Sequence, residues 1–255
     1  TEFQGNLITA AMFLTAMAGN PLAQNLAEKT AHVHITWMNW FLAALVPGLV
    51  SLIVVPFIIY KMYPPTVKET PNAKQWAENE LANMGPISIA EKFMTGIFIV
   101  ALALWVTGSF IHVDATLTAF IALALLLLTG VLTWKDILNE TGAWNTLVWF
   151  SVLVMMADQL NQLGFIPWLS HTIANSLGGL SWPVVLVILI IFYFYSHYLF
   201  ASSTAHVSAM YAALLGVAVV AGAPPLFSAL MLGFFGNLMA STTHYSSGPA
   251  PILYA

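Results

Sequence analysis

The sequence predicts an all-α integral membrane protein whose apolar helices are interrupted by polar breaks and by a re-entrant hairpin. Three observations predict it. Of 255 residues, 60% are hydrophobic and 6% are charged, whereas a soluble domain carries about 25% charged residues. Apolar runs near membrane-spanning length recur between short polar turns. Three of those runs are broken at their centres by Gly/Pro or Ser/Thr clusters, at residues 15–21, 200–206 and 241–249. In hydrocarbon, irregular backbone survives only where protein buries it or where it lines a wet cavity. Each break is therefore a candidate binding site at membrane depth.

Residues 6–27 are apolar apart from Thr15-Ala16-Met17-Ala18-Gly19-Asn20-Pro21. Pro21 has no N–H and pushes Asn20 out of the α region, so Gly-Asn-Pro is expected to break a helix; a Pro-kinked helix without a ligand is the alternative. Residues 35–60 read as a clean span, with Trp37, Trp40 and Tyr60 as interfacial belt residues. Residues 62–92 are the long polar stretch, holding Lys68, Lys74 and Lys92 just beyond Lys61. Lys excess marks the cytoplasmic side, and the Ala/Glu/Asn-rich part at 73–84 is expected to form a short surface helix. Spans follow at 93–111 and 115–134, with a turn at His112-Val113-Asp114, and another at 145–163. Residues 165–180, with Pro167, His171 and Asn175, are less apolar and are placed partly in the interface.

The chain is organised around residues 182–220. Two apolar arms, 184–200 and 207–220, each fall short of the ~20 residues a straight span needs. They meet at Phe200-Ala201-Ser202-Ser203-Thr204-Ala205-His206, which predicts a re-entrant hairpin or one discontinuous helix. A single long helix, its Ser and Thr bonded back to their own carbonyls, is the alternative. The last stretch, 226–255, is broken at Ser241-Thr242-Thr243-His244-Tyr245-Ser246-Ser247-Gly248-Pro249.

Counting crossings from the Lys-rich loop puts the chain outside near 112, inside near 135 and outside near 165. The hairpin then enters and leaves from outside. Residues 226–255 run inward and 6–27 outward. Two interrupted helices of opposite direction are the pattern of an inverted-repeat secondary transporter, with its site at the repeat interface. The expected division is 1–30, a broken helix of the first repeat; 31–92, a span with a cytoplasmic arm; and 93–134, a scaffold helix pair. Residues 135–255 carry the second-repeat transport elements, including hairpin 182–220 and broken helix 226–255. With no initiator Met and an apolar C-terminal end, the chain reads as an internal piece of a longer protein.

The residue inventory narrows the chemistry. There is no Arg, and the six Lys lie outside the predicted breaks. An anion here would be met by helix N-termini, whose unpaired N–H groups and macrodipole carry roughly half a positive charge, and by Ser and Thr hydroxyls. His206 and His244, each beside a break, are candidate extra donors or charges at lower pH; satisfied packing histidines are the alternative. Asp158 is either a coupling carboxylate or an interfacial helix end. Zero cysteines exclude disulfides and thiolate metal sites, and the small net charge of −4 gives no footing for nucleic acid. Ser202 and His206 stand four apart without a third acid, so hydrolase chemistry has little support. His32-Val33-His34 suits an interfacial loop better than a metal. No haem, flavin or nucleotide motif occurs, and no cofactor is expected.

The segment from Phe200 to Tyr211, including Ser202-Ser203-Thr204-Ala205-His206, resembles the second hairpin tip of the divalent anion:sodium symporter family. Within it, the closest resemblance is to the citrate/succinate, tartrate/succinate and plastidic 2-oxoglutarate/malate exchanger branch. Thr15-Ala16-Met17-Ala18-Gly19-Asn20-Pro21-Leu22 is similar to that branch's first broken helix. Thr243-His244-Tyr245 with Gly248-Pro249-Ala250-Pro251 is similar to its counterpart in the second repeat. The resemblance implies a homodimeric carrier in the lipid bilayer, moving small organic dianions by an elevator-type shift. It sits in a bacterial inner membrane by default, with a plastid envelope as the alternative. By position it implies substrate contacts at Ser202, Ser203, Thr204, His206, Gly19, Asn20, Thr242, Thr243 and His244, and a Na+ option near Ala201, Ser203 and Thr242. Ser203 stands where the family triplet Ser-Asn-Thr has Asn. That substitution removes an amide-oxygen ligand for sodium and favours the exchanger branch. A channel-like anion pore, or a sodium/proton or arsenite permease of related architecture, is the competing class.

Overall fold

The computed structural model describes residues 2–65, 71–176, 179–200 and 202–243 as a succession of helices. In order these are α1 (Glu2–Met12), α2 (Gly19–Ala31), α3 (Trp37–Met62), α4 (Ala73–Met84), α5 (Ile89–Ile111), α6 (Ala115–Leu128) and α7 (Trp134–Asn139). They continue as α8 (Thr141–Gln162), α9 (Phe165–Ser176), α10 (Trp182–Ser196), α11 (Ser203–Val220) and α12 (Pro225–Leu238). Short 3-10 turns, His197–Leu199 and Met239–Thr242, prolong α10 and α12. Among the described residues there is no strand, and five helices are long and apolar enough to cross a membrane. The protein is an all-α integral membrane protein.

The chain forms two compact units. The smaller, residues 57–141, holds the α5–α6 pair. Ser88 Oγ accepts the Glu91 N–H at 3.2 Å while Glu91 accepts the Ser88 N–H at 2.6 Å, a reciprocal box that starts α5. His112 ends it in the left-handed region, φ 56°, and Asp114 accepts the Thr116 N–H at 2.7 Å to start α6. Trp105 Nε1 donates to Ala115 O across the pair at 3.1 Å. The span expected over 115–134 stops early: Gly130 takes φ 71° after Leu128, and a second box between Thr133 and Asp136 opens α7. Hydrogen bonds from the Thr133 hydroxyl, then from its backbone N–H, hold the Asp136 carboxyl below the usual carboxylate range. α4 forms where the polar stretch was expected to carry a surface helix and buries no residue.

The larger unit, residues 1–56 and 142 onward, is built on α11, which packs against α2, α9, α10 and α12. α2 and α11 run parallel: Gly19 abuts Val207 at their starts, and Thr30 lies beside Gly216 near their ends. α1 and α12 run antiparallel, since Gln4 Nε2 donates to Ser241 O at 3.0 Å while Trp40 touches both Ala11 and Phe234 at the other end. α1 and α12 thus run in opposite directions, as the crossing count expects; the part of the last stretch beyond residue 243 lies outside the described residues.

Several local expectations change. The break before α2 covers residues 13–18, and Gly19 opens the helix rather than ending one. Pro21 falls in its first turn, where the missing N–H would have had no partner anyway. Trp37 and Trp40, expected as belt residues, are 7% and 0% exposed. Trp40 Nε1 donates to Ala11 O at 2.9 Å and Trp37 Nε1 to Thr15 Oγ1 at 3.3 Å, because the free carbonyls and hydroxyl of the break need donors. Asp158 pairs with Lys29 at 3.1 Å and accepts from Gln162 at 2.9 Å, so it holds a partly exposed helix end.

On α11, Gly216 admits Ser170, whose Oγ donates to Ala213 O at 3.1 Å; a Cβ at Gly216 would collide with that oxygen. Gly216→Leu is expected to destabilise the full-length protein by about 1–3 kcal/mol through overpacking, read as a lower melting temperature in detergent. Ser170→Gly should restore part of it. An unchanged melting point would show that α9 is not seated on α11 in this way.

Candidate functional site

Three polar interruptions converge in the larger unit. The first is the start of α2. Asn20 is 1% exposed, and its Nδ2 donates to Ala10 O at 2.9 Å and Phe13 O at 3.0 Å. Those carbonyls belong to the unravelled end of α1, so Asn20 caps that end from the next helix. Its Oδ1 accepts from Asn237 Nδ2 at 2.5 Å, and Asn237 also donates to Gly233 O at 3.2 Å. Both Asn20 donors are thereby used, and the side chain is a joint between α1, α2 and α12. Gly19, buried beside it, opens the helix.

The second interruption is the hairpin turn. Ser202 takes the extended N-cap conformation and accepts the Ala205 N–H at 3.2 Å. The hydroxyl-rich tip is therefore the first turn of α11 rather than a loop, and the arm is an 18-residue helix instead of the shorter one expected. Ser202 is exposed, Thr204 half-buried and Ser203 buried. His206 is fully buried. Its Nε2 meets Ser196 Oγ at 2.8 Å, and its ring stacks on Tyr193 with centroids 4.4 Å apart and has Phe200 at its edge. His206 thus points back into the hairpin, with one nitrogen taken up there.

The third interruption follows α12. Thr242 Oγ1 lies 3.3 Å from His197 Nε2 and donates to Met239 O at 3.1 Å, tying the end of α12 to the end of α10. Thr243 is buried and extended, its N–H on Ala240 O at 3.3 Å. Ala201 and His244, both singled out from the sequence, lie outside the described residues. Val207 binds the breaks together, lying 3.6 Å from a Cβ built on Gly19 and 3.2 Å from one built on Gly236.

The arrangement suits a small anion. Two parallel helices start at the same end, where the positive end of each dipole lies; at α2 the Asn20 N–H is already on Met17 O at 3.0 Å and Pro21 has none, so that start offers fewer N–H groups than α11. Among the described residues the Ser202 hydroxyl hydrogen meets no acceptor, while its oxygen caps the helix. Lys29, the only cationic residue on α2 or α11, is near the far end of α2. An apolar cavity of about 290 Å³ between α1, α3 and α12 carries a single hydroxyl side chain, Ser51. Sequence reasoning missed Asn237, Ser196, Tyr193 and His197. A lone amide in the apolar run of α12 was the available signal for Asn237, since a buried amide demands partners.

Residues 1–255 match the family described as the sodium:sulfate symporter transmembrane region. A putative malate transporter of Bacillus subtilis is 56% identical over 254 residues, which are all of this chain and 53% of that protein. The chloroplastic dicarboxylate transporter 1 of Arabidopsis thaliana is 50% identical over 256 residues, covering all of this chain and 46% of its own length. An L-tartrate/succinate antiporter of Escherichia coli is 38% identical over 248 residues, covering 97% of this chain and 51% of the antiporter. The chain spans about half the length of these relatives. Matched from end to end, this chain belongs to the sodium:sulfate symporter transmembrane family.

Proposed function

We propose that the full-length protein is a secondary carrier exchanging di- or tricarboxylates of the succinate, malate, citrate, tartrate or 2-oxoglutarate type across a bacterial inner membrane or plastid envelope. The observation that carries this is the parallel pair α2 and α11, whose N-termini open side by side at the hydroxyl-rich breaks. Neutral donors of this kind hold a carboxylate and also release it, as a carrier must. The names of the relatives, transporters of malate, dicarboxylates and tartrate/succinate, support the same class.

In this reading Ser202, Ser203 and Thr204 at the start of α11, the Gly19 backbone of α2, and Thr242, Thr243 and His244 after α12 contact the substrate. Asn20 and His206 act from behind it. The carrier works as a homodimer with an elevator-type shift. Sodium near Ala201, Ser203 and Thr242 is the alternative coupling ion, and sulfate the alternative anion.

The test is counterflow of labelled succinate into proteoliposomes of the full-length protein, with internal dicarboxylate and with or without sodium. Uptake that requires internal dicarboxylate and ignores sodium is expected; uptake indifferent to internal substrate would overturn exchange. Thr204→Val removes one hydroxyl donor. It is expected to weaken apparent affinity about tenfold to a hundredfold, equivalent to the ~1.5–3 kcal/mol of a hydrogen bond to a charged group. Unaltered affinity would remove Thr204 from the site.

A further inference from the structure

The turn that follows α12 is pinned at two successive residues by two other helices. Gln4 Nε2, in the first turn of α1, donates to Ser241 O at 3.0 Å. His197 Nε2, at the end of α10, lies 3.3 Å from Thr242 Oγ1, and this contact joins the hairpin to the third break. His197 is 2% exposed. Tyr198 and Phe194 flank its ring with centroids 4.2 and 6.0 Å away, so the imidazole has no room to swing. The Phe200 N–H donates to His197 O at 2.9 Å, so whatever fixes His197 also fixes the chain's approach to Ser202.

The hydrogens around Thr242 are all committed. His197 Nδ1 faces Phe194 O, a carbonyl that only accepts, so Nδ1 carries a ring hydrogen. In the neutral imidazole Nε2 is then a bare acceptor. The Thr242 hydroxyl hydrogen has two acceptors in reach, Nε2 at 3.3 Å and Met239 O at 3.1 Å. In the imidazolium, Nε2 donates to Oγ1 and the hydroxyl hydrogen stays on Met239 O. In both forms that hydrogen remains within the protein, and Thr242 has none to offer a carboxylate. Ser202 is the contrast, since its hydroxyl hydrogen meets no acceptor among the described residues.

We propose that His197 is a positioning residue for substrate binding: it latches the end of α10 to Thr242, so that the serine-rich start of α11 and the turn after α12 keep one spacing across the substrate. His197 itself touches no substrate. Resting on the carrier reading, the latch assigns the Thr242 side chain to the protein and leaves Thr243 and His244 as the side chains of that break that meet the anion. Breaks on separate helices form one site only when their separation is fixed. In an interior without water to compete, a single hydrogen bond does this.

The experiment is counterflow of labelled succinate by the full-length protein in proteoliposomes, with apparent affinity and maximal rate measured separately. Thr242→Val removes the hydroxyl. His197→Asn keeps a donor toward Phe194 O and loses the nitrogen that meets Thr242. Each is expected to weaken apparent affinity about threefold to tenfold, the worth of one hydrogen bond, and the double variant should be no weaker than either alone. His197→Gln, whose amide reaches where Nε2 lies, should recover most of the loss. Thr242→Val in the His197→Gln background repeats the comparison if His197→Asn does not fold, and there the hydroxyl deletion should again cost affinity. Effects that multiply in the double variant, or a weak Thr242→Val beside an unaltered His197→Asn, would overturn the latch and return the Thr242 hydroxyl to the substrate. His197→Gln as weak as His197→Asn would also overturn it. These outcomes leave the carrier reading intact, whereas wild-type protein without succinate counterflow brings down both.

Discussion

Gly233→Leu is expected to leave little folded protein. A Cβ at this position would lie 2.6 Å from Trp40 Cη2 and 3.0 Å from Cζ3, and the indole cannot slide away. Its Nε1 is hydrogen-bonded to Ala11 O at 2.9 Å, and Phe234 meets it edge-on at 5.1 Å. Overpacking contributes about 1–3 kcal/mol. If the ring leaves, the Ala11 carbonyl at the α1 break loses its donor at a further cost of about 1–3 kcal/mol. Even Gly233→Ala should lower the melting temperature of the full-length protein, and Trp40→Phe should partly relieve it by deleting the atoms in conflict. A Gly233→Ala protein that melts like wild type would show that the indole is not wedged against α12.

The second large effect is expected at the Asn20–Asn237 joint. Asn20→Leu strips donors from Ala10 O and Phe13 O and an acceptor from Asn237. In a buried membrane setting no solvent replaces them, so the loss is on the order of 3 kcal/mol for orphaned groups. Asn237→Leu frees the Asn20 side-chain oxygen and takes a side-chain donor from Gly233 O, and should cost less. The double variant should be milder than the sum, with a coupling of about 1–3 kcal/mol, measured by denaturant or thermal unfolding of the four proteins. Strict additivity would mean that the two amides act independently. Counterflow on the surviving variants would show whether the joint also sets the geometry of the breaks.

Much of the architecture was legible in the chain. The scarcity of charge and the recurrence of apolar runs require helices in lipid, since a span must satisfy its own backbone. Gly, Pro and hydroxyl clusters marked where those helices stop. Cap chemistry was misjudged where the signal is ambiguous by one turn: Gly19-Asn20-Pro21 looks like a stop but serves as a start, and Ser202 starts α11 earlier than the tip suggested. Trp37 and Trp40 were read as belt residues because tryptophan at a span end usually is. They turn inward because the Ala11 carbonyl and the Thr15 hydroxyl at the α1 break take up their indole N–H groups. Asp158 finds Lys29, across a distance in sequence that no local pattern encodes.

By itself, the amino-acid order determined that this is a helical membrane protein with interrupted spans, no fixed cation at the breaks and a hydroxyl-rich helix start. Those properties follow from composition and from local hydrogen-bonding needs. Only the tertiary structure decided that α2 and α11 lie parallel, that Asn20 closes α1 rather than facing a ligand, and that His206 turns into the hairpin beside Tyr193. Each depends on which distant group supplies a missing donor or acceptor, and in an interior without water that partner is found by packing.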